Sequence, residues 1–311
     1  MKSINTINRY SKKCSGFSPR TSFGLFDKMI VPILTYGAEI WGFDTYKQLE
    51  NVQIRFCKKV IGVPKKTSNE AVLGECGRYP LMLQYTVKCI KYWLKLLVMP
   101  NTRYPKACYN MIYILDGAGK KTWATSVKTI LMRYGYGIVW LQQGVGDSEL
   151  FVQQFKNRLQ DNLMQEWLGN INNSSKLAIY CTFKSQMEPE KYLTHLNVRK
   201  YRGALAKFRC SSHRLAIESG RYENILLEDR ICLFCKELNK TVIEDEYHFL
   251  LFCPTFQDIR EKYIEQKYWK NPTYQLFIDL MSNADKRTIS NLSCFLYQAN
   301  ELRNDKTKKV D

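Results

Sequence analysis

No uncharged run in this sequence is longer than 13 residues, a length reached at 134–146 and 288–300. A helix that crosses a membrane needs about 20 apolar residues, so no membrane span is expected. The opening Met1-Lys2-Ser3-Ile4-Asn5-Thr6 is polar and lacks the apolar stretch of a secretory leader, which predicts an intracellular chain, nuclear or cytoplasmic. No adjacent Asp-Asp pair occurs, whereas polymerases gather carboxylates around a pair of metal ions. No Gly-x4-Gly-Lys-Ser/Thr loop occurs either, and Gly135-Tyr136-Gly137 is too short to cradle a phosphate. Repeats and low-complexity tracts are also absent. With no catalytic set in view, the chain is not expected to be an enzyme.

What is present is apolar, aromatic and basic. Apolar residues make up 45% of the 311, with 20 Tyr, 15 Phe and 6 Trp. That suffices for packed cores and argues against disorder. The formal charge is +18, from 47 basic and 29 acidic side chains, which favours an anionic partner without specifying a fold. The excess is uneven. Residues 1–100 carry +10 and residues 176–230 carry +5, while residues 231–270 carry −1. Eleven cysteines, an odd number, in a chain with no export signal read as reduced thiols, and any clustered Cys/His set reads as a metal site.

The apolar periodicity is helical almost throughout, giving a mainly α fold. Leu49, Val52, Phe56 and Val60 form one stripe, stopped by Gly62 and Pro64. Leu83, Val87, Ile90, Leu94 and Leu97 form another, with Lys88, Lys91 and Lys95 on a basic stripe of the same helix. Phe151, Phe155, Leu159, Leu163 and Trp167 form a third, expected to end at Gly169. Residues 23–41 read as a longer helix that Pro32 should kink or split. The chain divides, on this reading, into a helical bundle at 1–98 and a helical connector at 99–183. A basic segment with a small metal module follows at 184–270, and carboxy-terminal helices at 271–311.

The sharpest local motif is Cys232-x2-Cys235, twelve residues, His248, four residues and Cys253. A Cys-x2-Cys turn brings two thiolates onto one ion, and four ligands with no open position describe one structural zinc per chain. The Pro after Cys253 would redirect the chain. The bland alternative is that these cysteines are small buried apolar residues. His213, three after Cys210, is a competing pair without a matching partner pair, and His195 reads as a surface or packing residue. Glu244-Asp245-Glu246 reads as acids at a helix start.

Between Arg199 and Arg214 there are six basic residues and no acid: Arg199, Lys200, Arg202, Lys207, Arg209 and Arg214. On a helix Arg199, Arg202 and Arg209 share a face, with Lys200 and Lys207 alongside. Such a stripe would neutralise phosphates of RNA or DNA and make binding salt-dependent. Tyr201 and Phe208 could stack on unpaired bases. The alternative is a solvated helix face with Tyr201, Leu205 and Phe208 in the core.

The order of these features resembles LINE-type (non-LTR) retrotransposon reverse transcriptases. Pro32-Ile33-Leu34-Thr35-Tyr36-Gly37-Ala38-Glu39-Ile40-Trp41 is similar to the stretch that follows the polymerase palm in that family. Gly74, Glu75, Gly77, Arg78, Pro80 and Leu81 match a pattern of its thumb, and the basic stretch with the Cys-Cys-His-Cys set resembles its carboxy-terminal zinc segment. The resemblance implies a thumb-like helical bundle, a zinc-knuckle-like module and a nucleic-acid partner. The family's palm, with its aspartate pair, has no counterpart here, so RNA-directed DNA synthesis is not carried over. The expectation is a truncated element that binds RNA or DNA and zinc. The alternative is an inert or protein-interacting helical protein. Residues 100–180 show no recognisable motif.

Overall fold

A computed structural model of the chain describes residues 17–307. The described residues are mainly helical, as the periodicity predicts, and contain no named strand. One isolated antiparallel bridge joins Ile231 and Ile243. The helices used below are α1 (Lys47–Ile61), α2 (Asn69–Cys76), α3 (Met82–Leu97), α4 (Tyr104–Gly117), α5 (Trp123–Arg133) and α6 (Ser148–Asn172). They are followed by α7 (Arg199–Arg209), α8 (Ala216–Tyr222), α9 (Gln257–Tyr263), α10 (Tyr274–Ser282) and α11 (Lys286–Thr307).

The chain forms two compact units. Of the described residues, 24–53 and 79–166 belong to the first, and 17–23, 54–78 and 167–307 to the second. Two of the four boundaries fall inside α1 and α6, and none coincides with the linear partition at 98 and 183 read from the sequence. Sequence reasoning follows the chain, whereas a compact unit collects whichever segments share a core.

The first unit packs Leu83, Ile90, Trp93 and Leu94 of α3 against Val127, Ile130 and Leu131 of α5 and Phe151, Phe155, Leu159 and Leu163 of α6. Full burial of such a side chain contributes about 1.5–3 kcal/mol. Trp93 is wholly buried, and its indole N–H donates to the Tyr109 hydroxyl at 2.9 Å, which removes the penalty for burying a polar atom. The Glu50 carboxylate accepts the backbone N–H groups of Leu81 and Met82 at 2.8 and 2.9 Å. These lie at the start of α3, where backbone donors have no partner within the helix.

Pro32 perturbs the helix without splitting it, and the break comes after it, over residues 35–37, where Gly37 adopts φ +63°. A helix over Pro19–Leu25 gives way to a π-turn over Phe26–Ile30 and then to a short helix over Val31–Leu34. Proline cannot donate to the preceding turn, and the looser turn ahead of it absorbs the missing bond. Gly62 ends α1 at φ +82°, as expected. Gly169 does not end α6, which continues to Asn172 because Ile171 extends the buried stripe.

The second unit's core joins Cys57 and Ile61 of α1, Val72 and Cys76 of α2, Leu205, Ala206 and Phe208 of α7, and Leu292, Phe295, Leu296 and Ala299 of α11. Helix α11 packs along α7. Gly77 ends α2 at φ +60°, and a Cβ there would come within 2.5 Å of Pro189 and Glu188. Only glycine meets both demands.

Candidate metal centre and basic groove

Cys232, Cys235, His248 and Cys253 come together as the spacing predicts, all buried, with their ligand atoms within 4.8 Å of one another. The Cys232 and Cys253 sulfurs are 3.9 Å apart, those of Cys235 and Cys253 are 4.0 Å apart, and Cys235 Sγ lies 3.3 Å from His248 Nε2. A tetrahedral ion bonded to sulfur at about 2.3 Å places sulfurs about 3.8 Å apart. The four side chains can hold a metal ion.

Local chemistry builds each half. The bridge between Ile231 and Ile243 carries Cys232, whose N–H donates to Val242 O at 2.8 Å. A helical turn over Leu233–Lys236 brings Cys235 round, and the chain leaves it through Asn239 at φ +58°, a conformation asparagine tolerates. The other half is a π-turn over His248–Phe252, closed by Cys253 N–H donating to His248 O at 2.8 Å. In an α-helix residues five apart point about 140° away from each other. The wider turn bonds residues five apart directly, which is how a His-x4-Cys pair reaches one ion. Pro254 then starts a short 3-10 turn and redirects the chain.

The surroundings hold this site firmly. Arg260 is fully buried and donates to the carbonyls of Leu250 at 2.8 Å and Cys253 at 2.9 Å, and burial pulls its guanidinium down to about 10. The three consecutive acids have separate duties. Asp245 caps the π-turn by accepting His248 N–H at 2.7 Å, as expected of a helix start. Glu244 instead takes the Arg303 guanidinium in two bonds of 2.7 Å. Glu246 binds His213 Nε2 at 2.9 Å. His213 is therefore engaged by a carboxylate and is not among the clustered ligands, and Cys210 is buried apart from them. His195 is half-buried.

The basic stretch folds differently from its reading. Arg199, Lys200, Lys207 and Arg214 are exposed. Arg202 and Arg209 are buried and, contrary to the expectation, do not belong to a phosphate-facing stripe. The face they share also carries Leu205, Ala206 and Phe208, and that face turns into the core. Arg202 Nη1 donates to Leu196 O at 2.8 Å, and burial lowers the Arg202 pKa. Arg209 donates to both oxygens of Glu75, at 2.8 and 3.1 Å, to the carbonyl of Met281, and lies 3.0 Å from a Glu190 oxygen. Burial opposes its charge, but the carboxylates of Glu75 and Glu190 outweigh it and raise its pKa. Phe208 is a core residue and Tyr201 packs edge-on against Tyr297 at 5.4 Å.

Lys200, Lys207 and Arg214, but not Arg199, line two adjoining cavities of the second unit. The larger, about 450 Å³, lies between α7 and α11 and is bordered by Lys200, Lys207, Arg214 and Tyr297. The smaller, about 190 Å³, has Lys66, Lys176, Arg214 and Tyr222 on its walls. Pro64, Ser212, His213 and Arg214 border both. Among the described residues, Lys66, Lys200, Lys207 and Arg214 form no salt bridge. Lys66 and Lys176 were not legible as part of this surface, since they stand far from the basic stretch in the chain.

Comparison with protein-family models, with curated proteins and with solved structures found no match to this chain. Chemistry and geometry alone therefore carry the functional reading.

Proposed function

We propose that the chain binds nucleic acid through its second unit and that a structural zinc ion held by Cys232, Cys235, His248 and Cys253 keeps that unit folded. Zinc suits the donor set: three thiolates and an imidazole, all buried, at tetrahedral spacing. The observation that carries the binding reading is the groove rimmed by Lys66, Lys200, Lys207 and Arg214, which form no salt bridge among the described residues, although Glu301 and Glu218 also line its walls. Buried Arg202 and Arg209 take no part in it. The protein acts here by binding, not by chemistry of its own. Of the residues that carry the resemblance to LINE-type reverse transcriptases, Glu75 pairs with Arg209 and Gly77 closes α2, so both serve the fold.

The test is fluorescence anisotropy with labelled single-stranded RNA and DNA across a salt series. If about four phosphates are neutralised, the log–log salt slope is near −3. Replacing Lys200, Lys207 and Arg214 together by Ala should flatten that slope for every sequence alike. Unchanged affinity and slope in the triple variant would overturn the reading.

A second reading, a protein-interaction role, is favoured by one observation in the first unit. Tyr104, Met111, Ile114 and Leu115 of α4 are 87, 60, 69 and 39% exposed, an apolar helix face of the kind that marks interaction sites.

A further inference from the structure

The smaller cavity carries features that a general phosphate-binding surface does not require. Its aromatic wall, Tyr222 at the end of α8, is 62% exposed. Two ammonium groups stand by that ring: Lys66 Nζ 5.9 Å and Lys176 Nζ 5.5 Å from the centroid. Lys176 also donates to the Tyr222 hydroxyl at 3.0 Å. Glu218 borders the same cavity yet is only 3% exposed. Its Oε1 accepts Arg221 Nε at 2.9 Å, whereas its Oε2 has no hydrogen-bond partner, the Lys176 ammonium standing off at 3.7 Å.

A buried acceptor without a donor is costly to leave unmade, and this one repels a phosphate while accepting an N–H. The same walls also carry the opposite charge, since Lys66, Lys176 and Arg214 line the cavity. At about 190 Å³ the space lies below the roughly 300–1,000 Å³ of sites for larger ligands and so takes one small planar group. Its neighbour continues the track past His213 and Arg214, with Tyr297 beneath Lys200 Nζ at 4.7 Å from the ring centroid. A duplex keeps its base edges paired and its faces stacked, so neither tyrosine could reach a base face in it. An unpaired strand offers both.

We propose that the paired cavities form a track for an unpaired nucleic-acid strand, in which one base lies against Tyr222 with an N–H edge toward Glu218 Oε2 while its phosphate rests on Lys66 and Arg214. This rests on the nucleic-acid reading above and adds to it the strand state and the site of base contact.

Tyr222 is exposed, so Tyr222→Leu can be made with folding checked by circular dichroism and bound-metal content. The probes are an unpaired 12-mer RNA, the same RNA with abasic positions, and a blunt hairpin duplex of equal length. The full chain should bind the unpaired 12-mer about ten-fold or more tightly than the abasic strand, the scale of stacking one base. Tyr222→Leu should erase that difference, Tyr222→Phe should keep it, and duplex affinity should not change in either variant. If the parent binds none of the three probes, the nucleic-acid reading fails and this proposal with it. If the parent binds but duplex and unpaired strand are held alike, or Tyr222→Leu leaves the preference intact, this proposal alone is overturned.

Discussion

Glu75 and Arg209 form a buried, two-bonded ion pair, Arg209 Nε to Glu75 Oε2 at 2.8 Å and Nη2 to Oε1 at 3.1 Å. Glu190 adds a second carboxylate, 3.0 Å from the same Nη2. The pair joins α2 to α7 inside the second unit. Removing one partner leaves the other charged and dry, which costs about 3–5 kcal/mol. Arg209→Ala and Glu75→Ala should therefore each lower the urea midpoint of the second unit sharply, with the double variant well short of additive. A stability within 0.5 kcal/mol of the parent, on the order of a neutral surface change, would show that the pair is dispensable.

Purified protein should hold one zinc per chain. Cys235→Ser should lose it and loosen the second unit, while Cys108→Ser, at an exposed thiol, should change neither. Metal analysis and near-ultraviolet circular dichroism decide this. Stoichiometric zinc retained by a Cys232/Cys235 double variant would refute the ligand set.

With a primed RNA template and magnesium, extension should not rise above background. The sequence has no adjacent aspartate pair to hold the metal ions that phosphoryl transfer uses. Magnesium-dependent extension that survives stringent purification would contradict this.

In the first unit, Thr125 donates its hydroxyl to Asp116 Oδ1 at 2.7 Å, and Lys128 reaches Oδ2 at 3.2 Å. The Thr125 bond first, then Lys128, holds the Asp116 pKa below the usual aspartate value despite some burial. A depressed folded-state pKa gives stability that is present above the unfolded value and lost as pH falls through the folded one. Acid unfolding should therefore be less steep in Asp116→Asn below about pH 4, the ordinary aspartate range. Identical acid limbs for parent and variant would remove Asp116 from that transition.

The helices and the metal site were readable because both are written in short spacings. The stripe from Phe151 to Trp167 buries as its period requires, and Cys-x2-Cys with His-x4-Cys assembles within 22 residues of chain. The facing of α7 was not readable. Arginine has a long apolar stem, and a guanidinium turns inward only where a partner awaits it. The partner of Arg209 lies 134 residues earlier. The groove was missed for a related reason, since Lys66, Lys176 and Arg214 come from separated segments. The division into units escaped because each draws on discontinuous stretches.

That discontinuity has a consequence for biosynthesis. Residues 54–78 and 167–307 share one core, and residues 79–166 lie between them in the chain. A ribosome releases Ile61, Val72 and Glu75 long before Leu205, Phe208 and Arg209 exist. At about 5–20 residues per second the interval is on the order of ten seconds. For that time the early segment holds apolar side chains and a carboxylate with nothing to pack against, while the intervening helices α3 to α5 are already free to fold. Translation speed through residues 79–166 thus sets how long the nascent chain stays open to chaperones or to aggregation.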